Sequence, residues 1–297
     1  MKIILFLIFL LSSVQSNQVR PGLSVWFSAN ELSFAGGGSL FFNPNGRGVD
    51  LSDIPSSKIF STSYIFYPAE IQAQSASLSS KINDKLIITS INHVSYGTFK
   101  GYDESAIETE NYTSSDTWLR MGYTKLSDKV PIRYGVSKQI YVSKLEHHIF
   151  TSMYSSFGLV WTVRKYNLDI GGAVNDLLLM QNKYTDNKNS MTFHIGICKQ
   201  LIYLPLKLSI DCQLSTVLIP KDYFISGSFN ISENILLNLG TSTRKFSQNT
   251  KQSLSQTIFG SSGFGLFYKN KELIFGYGLY FYGTNGFSSG LDMSISF

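Results

Sequence analysis

The chain has 297 residues, of which 15% are charged and 43% hydrophobic, and its formal net charge is +5. Ordinary soluble domains carry about 25% charge, so this composition argues against a disordered chain and against helices faced with Glu–Lys pairs. No basic run marks a nucleic-acid face, 2 cysteines are too few for a disulfide scaffold or a structural zinc site, and 22 Phe, 17 Tyr and 24 Gly point to strands and turns.

Met1-Lys2 and the apolar run from Ile3 to Leu11, followed by Ser12 to Ser16, read as a secretory signal peptide over residues 1–16, cut before Asn17. The run falls far short of the ~20 residues a spanning helix needs, and no later stretch reaches that length. No Cys follows it, so no lipid anchor is indicated.

Residues 17–57 differ from the rest. Glu31 to Ser39 carries Ala35-Gly36-Gly37-Gly38, and Asn43-Pro44-Asn45 and Asp53-Ile54-Pro55 follow. Pro and Gly interrupt any spanning strand there. Trp26, Phe27, Phe34, Phe41 and Phe42 would be wasted in a disordered leader. The expectation is an N-terminal plug inside or beneath a barrel, with Gly36, Gly37, Asn43, Pro44 and Pro55 as its candidate residues.

From 58 to 297 short runs alternate with period 2. Leu206, Leu208, Ile210, Cys212 and Leu214 oppose Lys207, Ser209, Asp211 and Gln213. Phe264, Leu266 and Tyr268 oppose Gly263 and Gly265; Leu273, Phe275, Tyr277, Leu279 and Phe281 oppose Gly276, Gly278, Tyr280 and Tyr282. Glycine-rich faces suit a crowded barrel interior. The pattern predicts strands near 58–68, 70–81, 85–97, 115–126, 130–143, 149–164 and 168–179, with Asn175 to Gln181 readable as a strand end or a helical turn. Seven more are predicted near 189–199, 205–218, 222–232, 234–246, 254–268, 272–283 and 286–297. Most reach the about 9–11 residues a tilted strand needs to cross a bilayer.

One end of these strands has tight connections, at Asn83-Asp84, Ser127 to Lys129, Tyr166-Asn167, Glu233 and Asn270, with Lys199 to Leu204 the longest. The other end has the long ones, Thr98 to Ser114, Met180 to Lys188 and Lys245 to Ser253, beside three short ones. No propeller repeat of about 40–50 residues occurs. The fold expected is all-β: a transmembrane antiparallel β-barrel of about fourteen strands over 58–297, in the outer membrane of a Gram-negative bacterium with the long loops outside. In the last strand Leu291, Met293, Ile295 and Phe297 share one face, and they are predicted to face lipid and to act as the assembly signal. Cys198 and Cys212 fall on opposite faces, so no disulfide between them is expected.

Chemistry is hard to find. Of the 4 histidines, His147 and His148 are adjacent and would point apart on a strand, while His93 and His194 fall on the polar, inward side by pattern. Zinc-protease, hydrolase, dinucleotide and phosphate-loop motifs are absent. No catalytic, metal or cofactor residue is nominated, and the expectation is a protein that is not an enzyme.

The features together resemble a family. A signal peptide, an N-terminal Ala-Gly-Gly core and about fourteen strands ending in Phe are similar to the PorV/PorQ outer-membrane barrels, relatives of the FadL-type transporters of hydrophobic compounds. Asn92 to Phe99 resembles that family's third strand running into its first long surface loop, Pro131 to Ser143 the strand after the next hairpin, and Phe157 to Trp161 a later glycine-bearing strand. The family's Asn-Pro-Ala spacing falls here on Asp53-Ile54-Pro55, while Asn43-Pro44-Asn45 comes early. The resemblance implies a part in type IX protein secretion, with secretion-system or exported cargo proteins as partners besides membrane lipid. The alternative it implies is a FadL-like transporter whose partner is a hydrophobic solute. An apolar lumen with a side opening would favour transport; a polar, filled lumen with a broad surface groove would favour partner binding.

Overall fold

The computed structural model describes residues 25–46, 49–52, 57–83, 85–103, 105–127, 130–146, 148–182, 191–215, 218–247, 259–282 and 286–297. The expected signal peptide, Pro55 with Asp53 and Ile54, and His147 lie outside the described residues.

Fourteen antiparallel strands close into one barrel, each paired with its neighbours in sequence and the last with the first. They are β1 Ile59–Phe66, β2 Gln72–Ile82, β3 Lys85–Phe99, β4 Tyr112–Leu126, β5 Ile132–Leu145, β6 His148–Val163 and β7 Leu168–Gln181. The second half comprises β8 Thr192–Gln200, β9 Leu206–Leu214, β10 Pro220–Asn230, β11 Ile235–Ser242, β12 Ser262–Asn270, β13 Leu273–Phe281 and β14 Phe287–Ser296. Among the described residues two short α-helices accompany them, α1 Ala29–Ser33 and α2 Arg244–Ser247, with a 3-10 turn at Arg164–Tyr166. No helix among the described residues is long and apolar enough to cross a membrane.

The two-residue period of the sequence becomes the two faces of the wall. On β14 the outward Leu291, Met293 and Ile295 are 38–40% exposed, whereas inward Ser288 is fully buried. The outer surface is apolar around the circumference, from Leu119 and Met121 on β4 to Phe275 and Tyr277 on β13. The long connections fall at one end and the tight turns at the other, as the parity of the sequence predicts. β3 to β7 have 14 to 16 residues and β8 to β14 have 8 to 11, so the wall is taller on one side.

Four details depart from the sequence reading. β3 and β4 continue past a bulge at Tyr96-Gly97 to pair Thr98 with Thr113 and Phe99 with Tyr112, which shortens the expected Thr98 to Ser114 loop. Asn175 to Gln181 is strand throughout, bulged twice against β6, with Asp176 at φ 58°. The part of the expected twelfth strand at 259–261 is a turn, broken by Ser261 at φ 53°. His93 faces outward, not into the lumen, and its Nδ1 lies 2.8 Å from Thr117 Oγ1. The reason is that β3 is apolar on both faces: Leu86, Ile88 and Val94 are buried inside, so polarity no longer marks the inner side. His194 does face inward, and neither cysteine is in a disulfide, Cys198 being buried and Cys212 on the outer phase.

Closure rests on the pairing of β1 with β14 in eight registered pairs, from Ile59↔Ser296 to Phe66↔Ser289. Beyond them Phe297 N–H donates to Lys58 O at 2.9 Å and Lys58 N–H to Phe297 O at 3.2 Å. Deleting Ser294 to Phe297 is expected to leave a strand edge unpaired and to abolish the compact, heat-modifiable form on gels. Ser294→Ala loses only the 2.8 Å contact with Ser61 and should cost about 1 kcal/mol or less. A truncated chain that still migrates as a closed barrel would contradict this role for the last strand.

Candidate functional site

The candidate site is the lumen, where residues 25–52 meet the inner face of the wall. The segment begins at the long-loop end. There the Tyr67 hydroxyl accepts from Trp26 N–H at 2.9 Å and donates to Trp26 O at 2.8 Å. Ser28 then caps α1 by accepting from Glu31 N–H at 3.1 Å, and the Glu31 carboxylate reaches back to Phe27 N–H at 2.6 Å. This Ser-x-x-Glu arrangement, its carboxylate bonded to the residue before the cap, starts a five-residue helix just ahead of the glycine run. The next turn runs through Ala35 at φ 54° and Gly36 at φ 83° and reverses the chain.

Wall side chains supply what the segment's backbone lacks. Asp292 of β14 accepts the Ala29 and Asn30 N–H groups at 2.7 and 3.0 Å, at the helix end where an anion is favoured. Asp211 of β9 accepts the Gly38 and Ser39 N–H groups at 2.8 and 3.3 Å and is itself bonded by Ser209 and the Ser39 hydroxyl. Arg120 of β4, buried, donates to Pro44 O at 2.7 Å and to Ser90. Arg133 of β5 donates to Leu51 O at 3.1 Å and pairs with Asp169 at 3.3 Å. Ser226, Asn238 and Ser75 add bonds from β10, β11 and β2. Partners so widely spread around a closed wall put the segment inside it.

Small inner-face residues make that position possible. Gly265, Gly278 and Gly290 are directly paired across β12, β13 and β14. A Cβ on Gly278 would lie 2.1 Å from Ala29 O, one on Gly263 2.0 Å from Leu32 O, and one on Gly240 2.2 Å from the Phe34 carbonyl carbon. Each distance is far inside contact, so α1 lies on bare backbone.

Above α1, toward the long loops, the lumen is aromatic. Phe27 packs on Trp118 with ring centroids 5.1 Å apart, Trp118 on Tyr141 at 4.9 Å, and Trp26 on Tyr280 at 4.7 Å. Ile65, Ala73 and Val94 complete this layer, all fully buried. A second apolar layer of Leu40, Val49, Leu51, Val160 and Cys198 lies nearer the tight turns. Two cavities flank the segment. One of about 210 Å³ lies against β7 and β8 and is lined by Glu31, Arg120, Asp176 and His194. Another of about 290 Å³ opens among the tight-turn ends of β10 to β14, by Asn234, Lys269 and Ser294. Asn43 borders both.

Solved structures share this architecture. The P. putida toluene transporter TodX superposes with a TM-score of 0.61 at 10% identity, over 91% of this chain and 98% of that one. A TodX deltaS2S3 mutant, a monoaromatic hydrocarbon channel, gives 0.58 at 11% identity over 91% and 98%. The fold is that of the TodX barrel. No protein-family model matches the sequence, and no curated protein matches it.

Four of the five sequence-nominated segment residues have contacts with the inner wall or with the segment itself. Gly36 lies against Trp26 and Gly37 against Phe224 and Ser226; Asn43 N–H donates to Asp50 at 3.1 Å; Pro44 O accepts from Arg120. Pro55 is outside the described residues. Leu291, Met293 and Ile295 are outward on β14, with Phe297 beyond its end and 67% exposed. Sequence reasoning put Asp292 and Asp211 on inner faces but assigned them no role, and it passed over Arg120 and Arg133. The available signal was a charge at the inward phase of an apolar strand.

Asp292→Ala should lower stability by roughly 2–3 kcal/mol, as expected for lost hydrogen bonds to a charged acceptor, read by unfolding in detergent. Gly278→Val should displace α1 and expose the segment to protease while the barrel stays folded. Gly172→Ala, whose Cβ would meet only His194 O at 3.5 Å, should behave as the parent. Equal protease resistance in all three variants would contradict the packing described.

Proposed function

We propose that this chain is an outer-membrane barrel that admits small hydrophobic molecules, with residues 25–52 as the plug that gates them. The observation that carries this reading is the aromatic layer of Phe27, Trp118, Tyr141 and Tyr154 at the long-loop end of an otherwise serine- and glycine-rich lumen. A rigid aromatic lining gives an apolar solute a place to leave water, worth about 25 cal/mol per Å² of apolar surface covered. The apolar outward belt, the closed wall and the FadL-like fold support an outer-membrane setting, with the long loops outside.

Passage requires the plug to move. The two lumen cavities lie on different sides of the segment, and the clamps that hold it are hydrogen bonds and charge pairs rather than covalent links. Such contacts exchange for water at modest net cost, so a partial shift of the segment is within thermal reach. TodX, described as a toluene transporter, motivates a small aromatic or alkyl solute.

The resemblance to PorV/PorQ barrels suggests a secretion accessory instead. The lumen meets one criterion of each reading, being apolar at the mouth and polar and filled below. We favour transport because aromatic rings converge inside the wall, where a folded cargo protein has no access.

The test is uptake of radiolabelled toluene by cells lacking and then carrying the gene. Restoration of uptake is expected, with Trp118→Ala/Tyr141→Ala needing roughly thirty-fold more solute for the same rate, since aromatic contacts are worth about 1 kcal/mol each. Uptake identical with and without the chain would overturn the reading, and co-purification of exported proteins in its place would favour the secretion role.

A further inference from the structure

A third concavity is on the outside of the barrel. A groove of about 1110 Å³ crosses the outward face from β9 to β13, larger than both lumen cavities together. It exists because the outward positions there are small where the neighbours are large. Gly227, Thr241 and Ser262 form the floor, and Phe229, Phe264 and Phe281 stand around it. The register puts Thr241 directly beside Ser262 and sets Gly227, paired with Leu239, diagonal to Thr241, so the low positions step across β10 to β12 and end against Phe281.

The groove is amphipathic along its length. Toward the tight turns it is lined by Leu206, Leu208, Phe229 and Leu237. At the long-loop end the Thr241 and Ser262 hydroxyls lie 3.0 Å apart on the outward face, and Lys245 Nζ donates to Thr241 Oγ1 at 3.2 Å. Lys245 is the one charged side chain among the described residues lining the groove. Its neighbour Arg244 turns the other way, bonding Asp222 at 3.0 Å on the inner side. Phe246 and Phe259, both exposed, flank this end at the height where aromatic side chains sit at a membrane interface.

We propose that this groove holds an acyl lipid of the long-loop leaflet, its phosphate at Lys245 and its chain along the apolar floor. Lys245 has the Thr241 hydroxyl and the Phe246 ring beside it and no carboxylate partner among the described residues, and a phosphate is the acceptor a compact lysine charge takes where a neutral hydrocarbon offers none. The groove is continuous with the outward belt, so the lipid pool reaches it laterally. The inference rests on the membrane setting proposed above and is independent of solute passage through the lumen.

The test uses tryptophan quenching in vesicles. Trp161, outward on β6 and 50% exposed, is replaced in Trp161→Phe, and Phe264→Trp puts a reporter in the groove; the other two tryptophans, Trp26 and Trp118, are inside the wall. The protein is reconstituted in phosphatidylcholine containing equal fractions of either brominated phosphatidylglycerol or brominated phosphatidylcholine. The anionic lipid should quench the reporter with a relative binding constant about five-fold higher, the effect of one lysine beside an anionic headgroup. Adding Lys245→Gln should bring the ratio close to one. A Leu239→Trp reporter, placed on the adjacent strand, should give the same pair of results. Equal quenching by the two lipids, or a preference that survives Lys245→Gln, overturns the lipid site. Absence of quenching by either lipid overturns the membrane setting and the site with it.

Discussion

The structure depends on satisfying an irregular backbone inside a closed wall. Residues 25–46 and 49–52 form one short helix, turns and irregular chain, so most of their N–H and C=O groups have no regular partner. Buried without partners, each would cost on the order of 1–3 kcal/mol. The wall answers with side chains aimed inward at particular peptide groups: Asp292 and Asp211 for donors, Arg120, Arg133 and Thr124 for acceptors. The two aspartates act on strands five apart around the barrel, so the segment is held at both ends of α1 and its turn.

That constraint shapes the strands themselves. An inner face that carries a second layer of backbone must be bare, and the paired glycines of β11 to β14 are where α1 lies closest. With the inner face reduced to Gly, Ser and a few charges, the apolar content of these strands goes outward, as Leu273, Phe275, Tyr277 and Leu279 do on β13. Of the aromatic wall residues that remain inside, Trp118, Tyr141, Tyr154 and Tyr280 gather at the long-loop mouth, above the segment, while Phe267 lies toward the tight turns. One demand, room and partners for an inner chain, therefore explains the glycine faces, the buried charges and the apolar exterior together.

The wall was legible in the sequence because most of its strands are apolar on the outward face and polar or small on the inward one. β13 and β14 read correctly residue by residue for that reason. β3 did not, since the lumen there has an apolar layer of its own and Leu86, Ile88 and Val94 erase the contrast that would have put His93 outside. The segment was legible as something other than a strand, from its glycines and prolines, and as something buried, from its aromatics. Its helix was hidden, because a single turn and a half depends on Ser28, Glu31 and a carboxylate more than 260 residues away, with |i−j| of 263 and 262 to Asp292. No local propensity encodes such a partner.

The most direct test of the account is whether the segment touches the far wall. Asn238 Nδ2 on β11 donates to Asn30 Oδ1 at 2.8 Å, and Ser61 and Ser294 face each other across the β1–β14 seam. Paired cysteine variants at 30/238 and at 61/294 would be treated with a short thiol cross-linker in the folded protein, after both native cysteines are replaced by serine. The account predicts efficient cross-linking of both pairs, lost on denaturation. Cross-linking of the seam pair without the 30/238 pair would show a closed barrel whose segment lies elsewhere, and would contradict it.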